Sequence, residues 1–120
     1  MGFKKFEDII AWQKAQDLAV EIYKEFGTIR DFGFKDQICR AAVSISSNIA
    51  EGFDRSTDKE FRVFLHYSRG SSAEVKSLLK LAPRLNLCSQ DKADMLFIKA
   101  EEVGKILGGL IITMNNKIKK

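Results

Sequence analysis

Five cations recur along one stretch of the chain: Arg62, Arg69, Lys76, Lys80 and Arg84, separated by seven or four residues. On a helix, at 100° per residue, these spacings place all five within about 80° of arc, joined by His66, over roughly 33 Å. No Asp or Glu falls in that arc, although both are plentiful elsewhere. Residues 61–90 carry five Lys or Arg against the single Glu74, whereas residues 31–60 carry four basic against six acidic residues. Much of the net charge of +4 is therefore local. A cationic row of this length attracts phosphate backbones, and Lys117, Lys119 and Lys120 could extend it. The same row would also serve as a solvated face, or pair with an acidic patch on another protein. No aromatic other than Phe3 or Phe6 is expected to be free to stack on bases, so contact with RNA or DNA would be electrostatic and shape-based.

A second constellation lies earlier in the chain. Gln37, Arg40, Ser44, Asn48, Glu51 and Arg55 form a polar stripe within about 80° of arc, and Ser68, Ser71 and Glu74 on the following helix could face it. Such a row could hold a ligand, or act as a polar seam that fixes helix register or subunit geometry, since half-buried polar groups need partners. With no nucleophile beside a base, the seam of Arg40, Ser44, Asn48, Glu51, Arg55, Ser71 and Glu74 is the favoured reading. Ser44, Ser46 and Ser47 likewise have no base beside them. His66 is the only histidine, which rules out a triad or metal cluster built on several histidines. Cys39 and Cys88 sit in no metal-binding spacing and read as reduced structural thiols. The expectation is a protein that is not an enzyme and needs no metal or cofactor.

The elements that must position these residues are helices. The chain has 120 residues, 45% hydrophobic and 30% charged, with one proline. That fits one soluble all-α domain, and the apolar spacing is helical almost throughout. Four helices are predicted at about 7–26, 34–53, 58–85 and 90–116, joined by short connections into an antiparallel up-down-up-down four-helix bundle. The first carries Trp12, Ala15, Ala19, Ile22 and Phe26 on its seam, widened by Ala11, Leu18 and Tyr23, with Glu7 and Asp8 at its positive end. The second is nearly uncharged: Ile38, Ala41, Ala42, Ile45 and Ile49 make one apolar stripe, and Cys39, Val43 and Ala50 another about 120° away. That is more apolar surface than a lone bundle needs, which points to a homo-oligomer. Thr57 and Glu60 form a capping box for the third helix, whose inner side is Phe61, Phe64, Leu65, Ser68, Ser72, Val75, Leu79 and Ala82. Pro83 must kink or end it. Ser89 caps the fourth, which places Ala93, Leu96, Phe97, Ala100, Val103, Leu107, Leu110, Ile111 and Met114 inward. Gly104, Gly108 and Gly109 fit either close approach of another backbone or a locally bent helix. The longest apolar run, 106–114, is too short to span a bilayer, and 1–6 has no signal-peptide core, so a cytoplasmic protein is expected.

At SISSNIAEG the chain resembles the bacterial four-helix-bundle family named after proteins encoded in intervening sequences of 23S ribosomal RNA genes. The likeness runs through Phe6 to Tyr23, Gln37 to Gly52 (QICRAAVSISSNIAEG) and Phe61 to Glu74, with Gly70, Ser71 and Glu74 as a G-S-x-x-E segment. It implies a homopentamer. A related group serves as accessory proteins to the reverse transcriptases of diversity-generating retroelements and is thought to bind that enzyme and nucleic acid. The implied partners are thus other copies of the chain, RNA or DNA, and a reverse transcriptase or other acidic protein. The resemblance supplies no catalytic residue. Ser46 stands where the family pattern has Pro, implying a straighter second helix, and the connection 27–33 also lacks the family's Pro.

Overall fold

Apolar residues recurring every three or four positions close into four α-helices: α1 (Ile10–Phe26), α2 (Phe32–Phe53), α3 (Asp58–Leu81) and α4 (Gln90–Lys119). The computed structural model describes residues 2–119, so Met1 and the expected contribution of Lys120 lie outside the described residues. Each helix packs on the next in sequence, and α4 returns to α1 along a shorter seam; diagonal helices do not meet. This is an all-α, antiparallel up-down-up-down bundle, a rod of 50 × 20 × 19 Å with no strand among the described residues.

The helix ends follow from local chemistry. Phe6–Asp8 form a separate 3-10 turn, so Glu7 and Asp8 precede α1 and are not part of its first turn. Phe6 stacks edge-on against Trp12, with ring centroids 5.3 Å apart, and Gln13 Nε2 donates to the Glu7 carbonyl at 2.8 Å. Asp31 starts α2 two residues earlier than the spacing suggests, its Oδ1 accepting the Phe34 N–H at 3.0 Å. Thr57 Oγ1 accepts the Glu60 N–H at 3.1 Å and donates to Glu60 Oε1 at 3.1 Å. Pro83 sits in the 3-10 turn Ala82–Leu85 that terminates α3, and Asn86 reverses the chain at φ 60°. Ser89 Oγ accepts the Lys92 N–H at 3.1 Å. From there α4 continues unbroken through its three glycines to Lys119.

The core is apolar along its length. From α1 it takes Ala11, Ala15, Leu18, Ile22 and Phe26, while Trp12 and Ala19 are only half-buried and Tyr23 is exposed. The α1 seam is therefore rotated from the expected one towards Leu18. All five residues of the first α2 stripe are buried; of the second, Cys39 is buried, Ala50 is half-buried and Val43 is exposed. From α3, Leu78 joins the core and Phe64 stays at its edge; on α4, Phe97 and Leu110 are likewise half-buried.

Three buried serines join the core with their hydroxyls satisfied. Ser68 Oγ donates to the Ile45 carbonyl at 2.6 Å, and Ser72 Oγ to the Arg69 carbonyl at 2.8 Å. Ser46 Oγ accepts from Gln16 Nε2 at 2.9 Å and donates to the Val43 carbonyl at 3.3 Å. Thus the residue standing in place of the family's proline ties α2 to α1 inside a continuous helix.

Candidate nucleic-acid interface

The cationic row follows α3 only as far as Leu81. Beyond it Arg84 lies in the 3-10 turn, so the helical arc expected for all five residues ends at Lys80. Arg62 is half-buried, and its Nη1 donates to Asn115 Oδ1 of α4 at 2.9 Å. Arg69 is exposed and lies against Gly108, where a Cβ would stand 3.9 Å from its guanidinium carbon. Lys76 and Lys80 hold their ammonium groups 5.8 and 4.3 Å from the centre of the Phe97 ring. None of the five lies within 4.0 Å of a carboxylate among the described residues. The ion pairs found there, Lys14–Glu102, Arg55–Glu51 and Lys117–Asp58, all lie elsewhere. With Asp58 3.6 Å away, Lys117 is already partly neutralised.

Between α3 and α4 runs an open groove of about 930 Å³. Its α3 side presents His66, Arg69, Ala73 and Lys76, and its α4 side Glu101, Lys105, Ile112 and Asn115. Gly104, Gly108 and Gly109 contribute no side chain to the α4 side; a Cβ on Gly104 would stand 3.2 Å from Ser72 Oγ, Arg69 lies over Gly108, and Gly109 is open. Spacing on α3 alone does not reveal Glu101, Lys105 or Phe97. The signal for the first two is the α4 stripe at 101, 105, 108, 112 and 115, which steps by three and four beside the glycines. Phe3 and Phe6, expected as free aromatics, are both half-buried: Phe3 near Phe53 and Phe61, Phe6 on Trp12. Phe97 is instead the aromatic beside the cations, and two lysines cover it.

The polar stripe of α2 divides. Ser44 Oγ meets Ser71 Oγ at 2.6 Å, a direct α2–α3 link, and Ser44 Oγ is also 2.9 Å from the Ala41 carbonyl. Asn48 Nδ2 turns back to the Ser44 carbonyl at 2.8 Å. Glu51, in the last turn of α2, pairs with Arg55 just beyond its end at 2.9 Å, and the Arg55 guanidinium lies 4.7 Å from the centre of the Phe64 ring. Arg40 and Glu74 remain exposed and are not drawn into the link. These contacts tie α2 to α3 and hold the stripe's own side chains in place. Arg40 and Ser44 of the stripe also border, with Cys39, Tyr23, Lys35 and Val43, a groove of about 600 Å³, and burial pushes the Cys39 thiol pKa up. Cys88 is shifted the same way, also by burial. Among the described residues no three His, Cys, Asp or Glu are grouped so as to hold a metal, and no helix is long and apolar enough to cross a membrane.

Fold and surface together define a small sequential four-helix bundle with one cationic side and a serine-linked α2–α3 pair. Within that class, the chain belongs to the family of 23S rRNA-intervening sequence proteins, whose pattern matches residues 7–109. Among solved structures it is similar to a protein of unknown function from the S23 ribosomal protein family of Bacteroides thetaiotaomicron. The two share 24% identity with a TM-score of 0.79, over 85% of this chain and 98% of the other. At that identity the likeness speaks for the fold. A search of curated proteins found no match.

Proposed function

We propose that this bundle is a non-enzymatic, oligomeric accessory protein that binds RNA or DNA electrostatically through Arg62, Arg69, Lys76, Lys80 and Arg84. The observation that carries the reading is the row itself: four cations at helical spacing along α3 and a fifth in the turn after it, with none within 4.0 Å of a carboxylate among the described residues. A row left unneutralised on one side of a rod is the electrostatic footprint of a polyanion partner. The assembly is read from another side of the rod, where Val20, Tyr23 and Val43 are 53%, 52% and 41% exposed and line two adjoining grooves, one of them rimmed by Lys35, Asp36 and Arg40. A second copy of the chain is the occupant we assign to them, and five copies is the number that family resemblance suggests. The alternative reading, favoured by the same unpaired cations, is a scaffold for an acidic protein such as a reverse transcriptase.

Titration of a labelled RNA or DNA oligonucleotide at increasing salt, with the mass in solution measured alongside, tests the proposal. Affinity is expected to fall by about 10-fold or more between 50 and 200 mM salt. The double variant Arg69→Glu, Lys76→Glu should abolish binding while the mass stays above that of one chain. Salt-insensitive or absent binding would overturn the nucleic-acid reading, and a monodisperse monomer would overturn the assembly. Partners that survive nuclease treatment of a lysate and still depend on these cations would favour the scaffold.

A further inference from the structure

We infer that the α3–α4 groove is the seat of a single nucleic-acid strand, RNA or DNA, rather than a shelf on which a duplex rests; this rests on the nucleic-acid reading above and narrows it. The groove is bounded by cations on both helices, Arg69 and Lys76 on α3 and Lys105 on α4. Its α4 side lacks side chains at Gly104, Gly108 and Gly109; Ser72 Oγ borders Gly104, the Arg69 guanidinium borders Gly108 and Gly109 is open, so a chain laid in it can approach helix backbone between the side chains of Lys105, Ile112 and Asn115. Glycine lacks the side chain that would otherwise fill such a channel. From Glu101 to Asn115 the groove follows α4 for about 21 Å at 1.5 Å per residue. At roughly 3.4 Å per phosphate of one strand that accommodates about six nucleotides, within the range of known single-strand sites.

Width decides against a duplex. Two packed helices stand about 8–10 Å apart, less than the roughly 12 Å width of a B-form major groove alone. A duplex would therefore ride on the rims and never reach the glycines. Glu101 gives the channel a polarity of chemistry as well. A carboxylate repels phosphate but accepts hydrogen bonds from base N–H groups or a ribose 2′-hydroxyl. It is the only acidic side chain lining the groove. The phosphates are thereby directed towards Arg69 and Lys105, and base or sugar edges towards Glu101.

The discriminating variant is Gly108→Leu. It changes no charge, and a Cβ there meets nothing nearer than the Arg69 guanidinium at 3.9 Å, so the side chain can enter the groove without moving backbone. Leucine also favours helix over glycine, so the fold should be at least as stable, which a thermal melt checks. The probes are a ten-nucleotide single-stranded RNA, the same sequence as DNA, and the blunt RNA duplex of equal length. The wild type is expected to bind both single strands more tightly than the duplex. Gly108→Leu should weaken the single strands by about 10-fold or more, as expected for displacing one or two seated nucleotides, and leave the duplex unchanged. If RNA exceeds DNA and Glu101→Gln reduces that margin, the contact to Glu101 is the 2′-hydroxyl; an equal margin assigns it to the bases. Salt-dependent binding that Gly108→Leu leaves intact, or a preference for the duplex, would overturn the groove while leaving the electrostatic proposal standing. Loss of binding to every probe in the wild type would overturn both.

Discussion

At the scale of single residues, the α2–α3 contact turns on Gly52, the last residue of the SNIAEG segment. A Cβ there would stand 3.1 Å from Phe61 Cδ1 and 2.5 Å from Phe64 Cβ, an atom fixed to the α3 backbone. No rotamer change can move a Cβ, so Gly52→Ala must push the two helices apart. A loss of about 1–3 kcal/mol is expected, the usual range for overpacking, measured as a lower urea midpoint with an unchanged slope. Unaltered stability would mean that α2 and α3 can separate freely at this point. This position also shows what spacing alone could not supply. The sequence marks Gly52 as the end of a motif, but which ring it meets depends on the crossing of α2 with α3, set by residues such as Ser44 and Ser71 from both helices. The Ser44–Ser71 link itself was expected, because helical phase puts both serines on facing arcs. Arg40 and Glu74 share that phase and remain exposed, because phase fixes a direction and not a partner.

At the scale of elements, helix existence was legible and helix ends were less so. Capping chemistry was readable where the side chain is distinctive, as at Thr57, Glu60 and Ser89. Asp31 gives no such signal, because it lies among glycines and aromatics that read as loop. Glu7 and Asp8 look like a helix start, yet Ile9 is fully buried and turns the chain into an extended conformation before α1 begins. The glycines of α4 permitted two accounts, another backbone close by or a bent helix; the helix is continuous, and the near neighbour at Gly104 is the Ser72 side chain and not a backbone. They should therefore respond differently to alanine. At Gly109 nothing lies within 4 Å of a Cβ, so Gly109→Ala is expected to stabilise α4 by about 0.5–1 kcal/mol, raising the thermal midpoint by a few degrees. Gly104→Ala would press on Ser72 Oγ at 3.2 Å and should gain less or nothing. Equal gains at both sites would show that α3 yields without cost. The groove itself was only half visible in the sequence. Its α3 wall repeats at helical spacing, whereas its α4 wall mixes Glu, Lys, Gly and Ile, and nothing in that mixture announces a common surface until α4 is laid against α3.

At the scale of the whole molecule, the α3–α4 groove and the grooves lined by Val20, Tyr23 and Val43 between α1 and α2 lie on different sides of one rod, so that the proposed polyanion and the proposed second copy need not compete. The connectivity adds a kinetic consequence. Three of the four seams join helices adjacent in the chain, and only the α1–α4 seam brings distant segments together. Little loop-closure entropy opposes the early contacts, so the chain should fold in roughly microseconds to milliseconds, as low-contact-order helical bundles do. Trp12, the only tryptophan, rests against Phe6 beside the first turn of α1 and would report this as a fast fluorescence change on dilution from urea. A slower phase that accelerates with protein concentration would mark the meeting of copies. On a ribosome the same order means that α1, α2 and α3 can pair as they emerge, and the cationic groove comes into being only when α4, made after them, folds back to complete it.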